Sequence, residues 1–492
     1  MKLLLCCILL CLELLAKAEK IIIVGAGASG IAAATRLIEN NITDFIFLEA
    51  EKRLGGRIHS IYLLDGNSGG HVDLGGEYVG GEEGNVVFNL SKNELKHGDL
   101  GKRTTTFYSD GKLIDVELSK EILLFKEHLR DEFEGKQPIS AADAFLERYN
   151  STILSKYKEN PEYLQKATDF IETCENIFRF RHGAFDWSKI LLNDHYRICK
   201  GDQNLNWNGK GYRHFLDLLM RKFGDEHRLR LYPIFYSETV MKIMWNKAGK
   251  VEIFTERDKK YEADHVIFTP SVGVLKENHE KLFEPNLPAN KVNAIKEIGF
   301  DSAMKVILQF NEKWWDDEVL DFIFVWNKED EAKISKEYQF GPKKEGKSWL
   351  STFHRMFTAP GMSKVLIGWF TGPLVPEIEK LKIEEIKNGV HYVIKKFLGK
   401  KYNVTEPYIV IPSTWYTNPN FRGVYSYETV ESANRTKQIQ EDLGEPLLNK
   451  DGIPVVLFAG EHTHKTHFSS VHGAVESGYN AADELVKYLN EK

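Results

Sequence analysis

Short, wholly apolar runs alternate along the chain with longer stretches in which apolar residues recur at helical spacing. Ile21-Ile22-Ile23-Val24 is continuous and β-branched, the pattern of a strand buried on both faces in a parallel sheet. It runs into Gly25-Ala26-Gly27-Ala28-Ser29-Gly30, then into an alanine-rich helical stretch over residues 31–39. A second apolar run, Phe45-Ile46-Phe47-Leu48, ends at Glu49. Helical periodicity predicts helices over 118–134, 141–149, 215–223 and 383–397, with a last helix over 473–489. Residues 93–206 read as mainly helical, with charged faces turned to solvent. Strands are predicted over 251–256, 265–268, 306–310 and 455–458. Pro270 should stop the strand before it, because proline has no N–H for a ladder. No repeat or low-complexity linker divides the chain.

The glycine spacing after the first strand has a physical reading. Gly25 permits a tight turn, Gly27 lets a pyrophosphate approach the backbone, and Gly30 lets helix and strand pack closely. The helix N-terminus then offers unpaired N–H groups and the positive end of its dipole to phosphates. A carboxylate at the tip of the second strand, Glu49, is placed to accept hydrogen bonds from ribose hydroxyls. Strand, turn, helix, second strand and terminal acid together specify a dinucleotide site. The run Asp73-Leu74-Gly75-Gly76-Glu77-Tyr78-Val79-Gly80-Gly81 implies close approach of the backbone to a flat group or to another chain segment.

At 492 residues the chain is too long for one simple core and should form two or three domains. Its 42% hydrophobic and 28% charged residues are ordinary for a globular protein, and a net charge of −6 gives no support to a nucleic-acid partner. Lys2, the apolar run over 3–12 and Ala16-Lys17-Ala18 read as a secretory signal peptide over 1–18. The run is shorter than the roughly 20 residues of a membrane span, and no later segment is apolar enough for stable insertion. Secretion is the expected address. Cleavage would leave Cys174 and Cys199, which pair in one disulfide or stay as two buried thiols. Sequons at Asn41, Asn89, Asn150, Asn403 and Asn434 are candidate glycosylation sites.

Leu54-Gly55-Gly56-Arg57 resembles the flavin-binding extension of the amine oxidases, in which the arginine lies near the FAD phosphates and ribityl chain. Further pieces carry the same resemblance: Thr269-Pro270-Ser271-Val272-Gly273-Val274-Leu275, Met304-Lys305-Val306, Trp415, Gly423-Val424-Tyr425-Ser426-Tyr427, Phe458-Ala459-Gly460-Glu461-His462-Thr463 and Val471-His472-Gly473-Ala474. Over nearly the whole mature chain the sequence is similar to flavin-containing amine oxidases, closest to the secreted polyamine oxidases. The resemblance implies an α/β fold: a discontinuous Rossmann-like FAD-binding domain (19–100, 205–292 and 421–492) with an inserted α+β substrate domain (101–204 and 293–420). Gly25, Gly27, Ser29, Gly30, Glu49 and Arg57 would hold FAD at one end, and Val240 would contact the adenine through its backbone. Gly75, Gly76 and Glu77 would run along the flavin, Glu461 would bind the ribityl or pyrophosphate region, and Val471 would lie near the isoalloxazine.

Lys305 resembles the lysine that holds a water against flavin N5, where a cation stabilises charge developing on O₂. Tyr425 matches an aromatic facing the flavin, His472 follows Val471 near the ring, and Trp415 is a weaker candidate wall. The implied reaction takes hydride from the α-carbon of a small cationic amine, such as spermine or spermidine, to flavin N5. The imine hydrolyses to an aldehyde, and O₂ reoxidises the flavin to give H₂O₂. Glu77, Glu82 and Glu83 are candidates for an acidic entrance to a polycation, or a solvated loop.

Departures accompany the resemblance. Gly80 stands where polyamine oxidases commonly place Glu or His, Val475 where a tyrosine is common, and Ala303 where an aromatic is common. Val424 replaces the cysteine that links flavin covalently in monoamine oxidases, so FAD should be held non-covalently. Two further readings follow: an oxidase of another amine or amino acid, with Arg179 or Arg181 as a carboxylate partner, and a flavin-binding protein without oxidase activity. His462, His464, His467 and His472 invite a metal reading. With no adjacent cysteine or carboxylate completing a tetrahedral set, no metal is expected.

Overall fold

A computed structural model describes residues 19–65, 68–98, 104–221, 232–246 and 249–492. The expected signal peptide over 1–18 lies outside the described residues. The labelled elements are, in chain order, β1 (Ile21–Val24), α1 (Ala28–Glu39), β2 (Phe45–Glu49), β3 (Ser60–Asp65), β4 (Ser68–Asp73), β5 (Thr104–Tyr108), α2 (Val116–Phe133), α3 (Ala141–Tyr149) and α4 (Pro161–His182). They continue with α5 (Arg213–Arg221), β6 (Ile234–Tyr236), β7 (Val240–Met244), β8 (Val251–Thr255), β9 (Lys260–Ala263), β10 (His265–Phe268) and α6 (Val272–Leu282). The last are β11 (Met304–Gln309), β12 (Asp321–Val325), β13 (Phe353–Thr358), β14 (Val365–Phe370), α7 (Ile383–Leu398), β15 (Ile409–Pro412), β16 (Leu447–Leu448), β17 (Pro454–Phe458) and α8 (Val471–Glu491).

Two sheets organise the chain. The first has the order β16-β17-β10-β1-β2-β6, parallel except for the edge strand β16. β1 lies in its interior, which is why all four of its residues are buried. Alternate side chains serve opposite faces: Ile21 and Ile23 pack with α1 and α8, while Ile22 and Val24 pack with α6 and the β7-β8-β9 layer. Val24 is level with both Leu48 and Phe268, so the chain leaves three parallel strands side by side at their carboxyl ends. That crevice is where open α/β sheets receive ligands.

The second sheet, β15-β11-β14-β13-β12-β5, is antiparallel except between β12 and β5. Met304, Val306 and Leu308 of β11 join a core with α7, so Lys305 and Ile307 face the opposite way. Residues 93–206 are not uniformly helical: besides α2, α3 and α4 they contain β5, which pairs Thr104 with Asp321. The ThrThrThrPheTyr strand was masked by the charged helices around it, because its partner strand is over 200 residues away. Among the described residues no helix is long and apolar enough to cross a membrane.

α1 packs closely against α8. Ala32, Ala33 and Ala34 are fully buried there, and a Cβ at Gly478 would overlap the Ser29 carbonyl. Gly478→Val should therefore lower stability by about 1–3 kcal/mol through overpacking. Thermal unfolding checks this against Asn490→Ala on the exposed face, which should leave the midpoint unchanged.

Candidate functional site

A cavity of about 650 Å³ opens at the carboxyl ends of β1, β2 and β10. Its size falls within the roughly 300–1,000 Å³ of small-molecule and cofactor sites. Gly25, with φ of 95°, makes the turn out of β1, held by the Thr269 hydroxyl donating to the Val24 carbonyl at 2.8 Å. A Cβ on Gly30 would overlap the Gly25 carbonyl oxygen, so this position needs glycine for packing alone. Gly27 differs: it lines the cavity, and the nearest atom to a Cβ there would be Gly56 Cα at 3.9 Å. A side chain at Gly27 would fill ligand space rather than strike protein. The N-terminus of α1 has neither a side-chain cap nor an acid in its first turn. Its free N–H groups suit an anion such as a pyrophosphate.

Ser29 supports this turn from behind, donating to the Ala474 carbonyl of α8 at 2.6 Å. Glu49 lines the cavity and accepts from Ala26 N at 2.6 Å and Glu51 N at 2.7 Å. Burial raises its pKa, against those two backbone donors. Val240 lines the same end together with Thr239 and Met241.

Arg57 and Glu461 form the middle of the wall. Arg57 donates to Glu461 Oε1 at 2.9 Å and to the Val424 carbonyl at 2.6 Å. The other oxygen of Glu461 accepts from Ser426 Oγ at 2.6 Å and Ser469 N at 2.8 Å. Burial pushes the Glu461 carboxyl up, but Arg57, His462 and the Ser426 hydroxyl outweigh it and hold the pKa below its ordinary value. Ser426 and Ser469 hold the Glu461 carboxylate in place on the cavity wall. Ser426 stood inside the GlyValTyrSerTyr motif, whereas Ser469 had no signal in the sequence.

At the far end lie Gly76, Val424, Tyr425 and Val471. Tyr425 donates its hydroxyl to the Phe180 carbonyl, which fixes the ring against the cavity, and burial raises its pKa. Gly75 stands just behind the wall, where a Cβ would overlap the Arg57 carbonyl. The glycine run is thus explained in part by two chain segments crossing. Trp415 donates to the Leu74 carbonyl at 2.9 Å and is buried in the same layer.

Three expected site residues point elsewhere. Lys305 does not line the cavity. It is buried and donates to the Asp73 and Gly75 carbonyls at 2.9 and 2.8 Å and to Glu77 Oε2 at 2.7 Å. Glu77 accordingly turns inward and cannot form an acidic entrance with Glu82 and Glu83, neither of which lines the cavity. An ion pair in the interior needs both partners, and this one took Glu77 out of the loop surface. Nearby, burial lifts the Asp73 carboxyl to about 7 against hydrogen bonds from Ser60 and Tyr212. His472 also lies outside the cavity wall, with Nε2 3.9 Å from Cys199 Sγ. Arg179 pairs with Glu175 and Arg181 with Glu127, and neither lines the cavity.

Cys174 and Cys199 are both free and buried. Cys174 sits in the apolar core of α2, α3 and α4, whereas Cys199 faces His467 and His472. A cysteine and a carboxylate do approach the histidine cluster, in two groups of three, Cys199 with His467 and His472, and Glu476 with His464 and His467. Folding brings Cys199 from a loop more than 260 residues away, and Glu476 joins from the next turn of α8. His462 is separate, packed beneath Gly460.

The sequence model of the family described as flavin containing amine oxidoreductase matches residues 28–486. Among curated proteins, peroxisomal N(1)-acetyl-spermine/spermidine oxidase of Homo sapiens is 26% identical over 507 residues, covering 95% of this chain and 94% of that protein. Probable polyamine oxidase 5 of Arabidopsis thaliana is 26% identical over 566 residues, covering 96% of this chain and 99% of its own length.

The Glu461 environment sets a pH dependence. Its folded pKa is depressed, so its contribution is complete above the ordinary 4.5 and is lost as pH falls through the folded value. Glu461→Ala should cost about 3–5 kcal/mol at pH 7, because it leaves Arg57 unpaired. Denaturant unfolding of both proteins should show that gap narrowing below pH 4.5.

Proposed function

The chain belongs to the flavin-containing amine oxidoreductases, and from that premise we propose that it oxidises a polyamine such as spermine or spermidine, using O₂ as acceptor and FAD held without a covalent bond. The observation that carries the cofactor reading is the Gly27 position, open to the cavity at an uncapped helix N-terminus. Glu49 would accept from ribose hydroxyls, and Arg57, held by Glu461, would supply positive charge beside the phosphate and ribityl region, a reading supported by their lining the same cavity. Val424 lines the cavity with a side chain that has no nucleophilic atom, which supports non-covalent attachment. The relatives' names, one an acetyl-spermine/spermidine oxidase and one a probable polyamine oxidase, support the substrate class.

When bound, flavin would supply two-electron chemistry between the amine and O₂, the amine ending as an aldehyde after imine hydrolysis and O₂ as H₂O₂. The protein's part is to bind, orient and exclude water. Tyr425, its hydroxyl tied to Phe180, gives a rigid aromatic wall. Phe180 and Trp369 pack edge to face at 4.5 Å behind it, and Lys305 lies over the Trp369 ring at 5.2 Å. Lys305, oriented by three acceptors that include the Gly75 carbonyl just behind the wall, serves O₂ reduction electrostatically. Residues 19–100, 205–292 and 421–492 form the FAD-binding part and 101–204 and 293–420 the substrate part. Secretion belongs to the same proposal. It is supported by the N-terminal sequence pattern and by the exposure of all five sequon asparagines, and a mass shift on glycosidase treatment tests it.

The deciding experiment uses the purified full-length product. It should carry a flavin spectrum and release peroxide with spermine, spermidine or acetylated polyamines in preference to monoamines and amino acids. Absence of turnover on every amine overturns the oxidase reading. A bound flavin that no amine bleaches anaerobically marks a flavin-binding protein instead. Lys305→Met should slow reoxidation about 10²-fold while flavin reduction changes little. The Lys305→Met/Glu77→Gln double variant leaves no lone buried charge and should show the same kinetic split with better stability. Stopped-flow absorbance reads both half-reactions, and equal slowing of the two would refute the role.

A further inference from the structure

We propose that Cys199, His467 and His472 form a site for one divalent cation of the zinc class, clipping the loop that carries Cys199 to the start of α8. The ligand atoms converge: Cys199 Sγ lies 3.9 Å from both His467 Nε2 and His472 Nε2, and the three lie within 4.8 Å of one another. A tetrahedral zinc with one sulfur and two nitrogens needs S···N separations of about 3.6 Å. The two S···N separations would close by only a few tenths of an ångström, and the two ring nitrogens, within 4.8 Å of each other, would draw together to about 3.3 Å.

Hydrogen bonds around the cluster prepare the right tautomer. His464 Nδ1 accepts from the backbone N–H groups of Thr466 and His467 at 3.3 and 2.9 Å. Its proton must then sit on Nε2, which points at Glu476 Oε2 at 3.0 Å. The same carboxylate oxygen accepts only, so His467 donates to it from Nδ1 at 2.7 Å. That leaves His467 Nε2 as a bare lone pair aimed at Cys199. A carboxylate behind a ligating imidazole is the arrangement that orients metal-binding histidines. Here the carboxylate is itself held by a further histidine, and His472 and Glu476 share one face of α8, four residues apart.

Two imidazole nitrogens face the one sulfur, each at 3.9 Å, a distance long for a hydrogen bond. Thiolate with two imidazoles is a donor set that suits zinc, and binding would release the thiol proton. His467 is partly exposed, and a water would take the fourth tetrahedral position. Val471, the residue before His472, lines the cofactor cavity. The metal would therefore brace one wall of that cavity without touching its contents. None of this depends on which amine the protein oxidises.

The test uses untagged, flavin-loaded full-length protein, dialysed against a chelator and then against Zn²⁺. Elemental analysis should give one zinc per chain, and zinc-edge X-ray absorption should show one sulfur and two imidazole nitrogens. Cys199→Ser should lose that stoichiometric zinc while keeping the flavin spectrum, and Cys174→Ser should bind as wild type. Glu476→Gln should weaken zinc binding about 10–100-fold, as loss of an orienting carboxylate does elsewhere. Less than one zinc per chain, or zinc with no sulfur neighbour, overturns the proposal. The absorption measurement on wild type decides it even where a variant fails to fold.

Discussion

The ion pair between Arg57 and Glu461 joins the first and last parts of the chain across the floor of the cavity. It is more than a contact between two charges. Glu461 also gathers Ser426 and Ser469, and Arg57 also reaches the Val424 carbonyl, so four separate segments meet at one carboxylate and one guanidinium. Ionised groups in such an interior persist only when every lone pair and N–H has a partner. The strand before Glu461 and the turn before Arg57 are both fixed by the parallel sheet, which explains how the two arrive together.

Behind this pair lies a second, more deeply buried one, Lys305 with Glu77. The two pairs divide the labour of the interior. The first faces the cavity and shapes its wall. The second stands between the cavity and the other sheet, where Lys305 emerges from β11 because its neighbours Met304 and Val306 are committed to the core with α7. Period-two alternation in a strand thus delivers a lone cation to the junction of the two sheets.

What was legible in the sequence was local. The strand-turn-helix at Ile21–Val24 and Ala28–Glu39 could be read because its chemistry is contained in adjacent residues, down to the overlap a side chain at Gly30 would cause. Helix α3 matches its predicted range, and α7 extends one residue further. What escaped was non-local. Strand β5 is a strand because β12 pairs with it, not because ThrThrThrPheTyr demands it. Glu77 looked like part of an acidic surface because nothing in its neighbourhood announces Lys305, and His472 looked like a flavin neighbour because nothing near it announces Cys199. Ring positions at the far end, such as Tyr425 and Val471, were legible only through whole motifs.

The order of strands in the first sheet carries a consequence for biosynthesis. β1 precedes its neighbour β10 by some 240 residues, and β10 in turn pairs with β17, nearly 190 residues further on. Until Pro454–Phe458 emerges, one edge of the nascent sheet stays open, and until Val471–Glu491 follows, the glycine turn lacks the helix that backs Ser29. Cofactor capture therefore waits on Pro454–Phe458 and Val471–Glu491, long after the glycine turn itself is made. A fragment that stops before Val471 would keep the nucleotide motif but lack the helix that backs it.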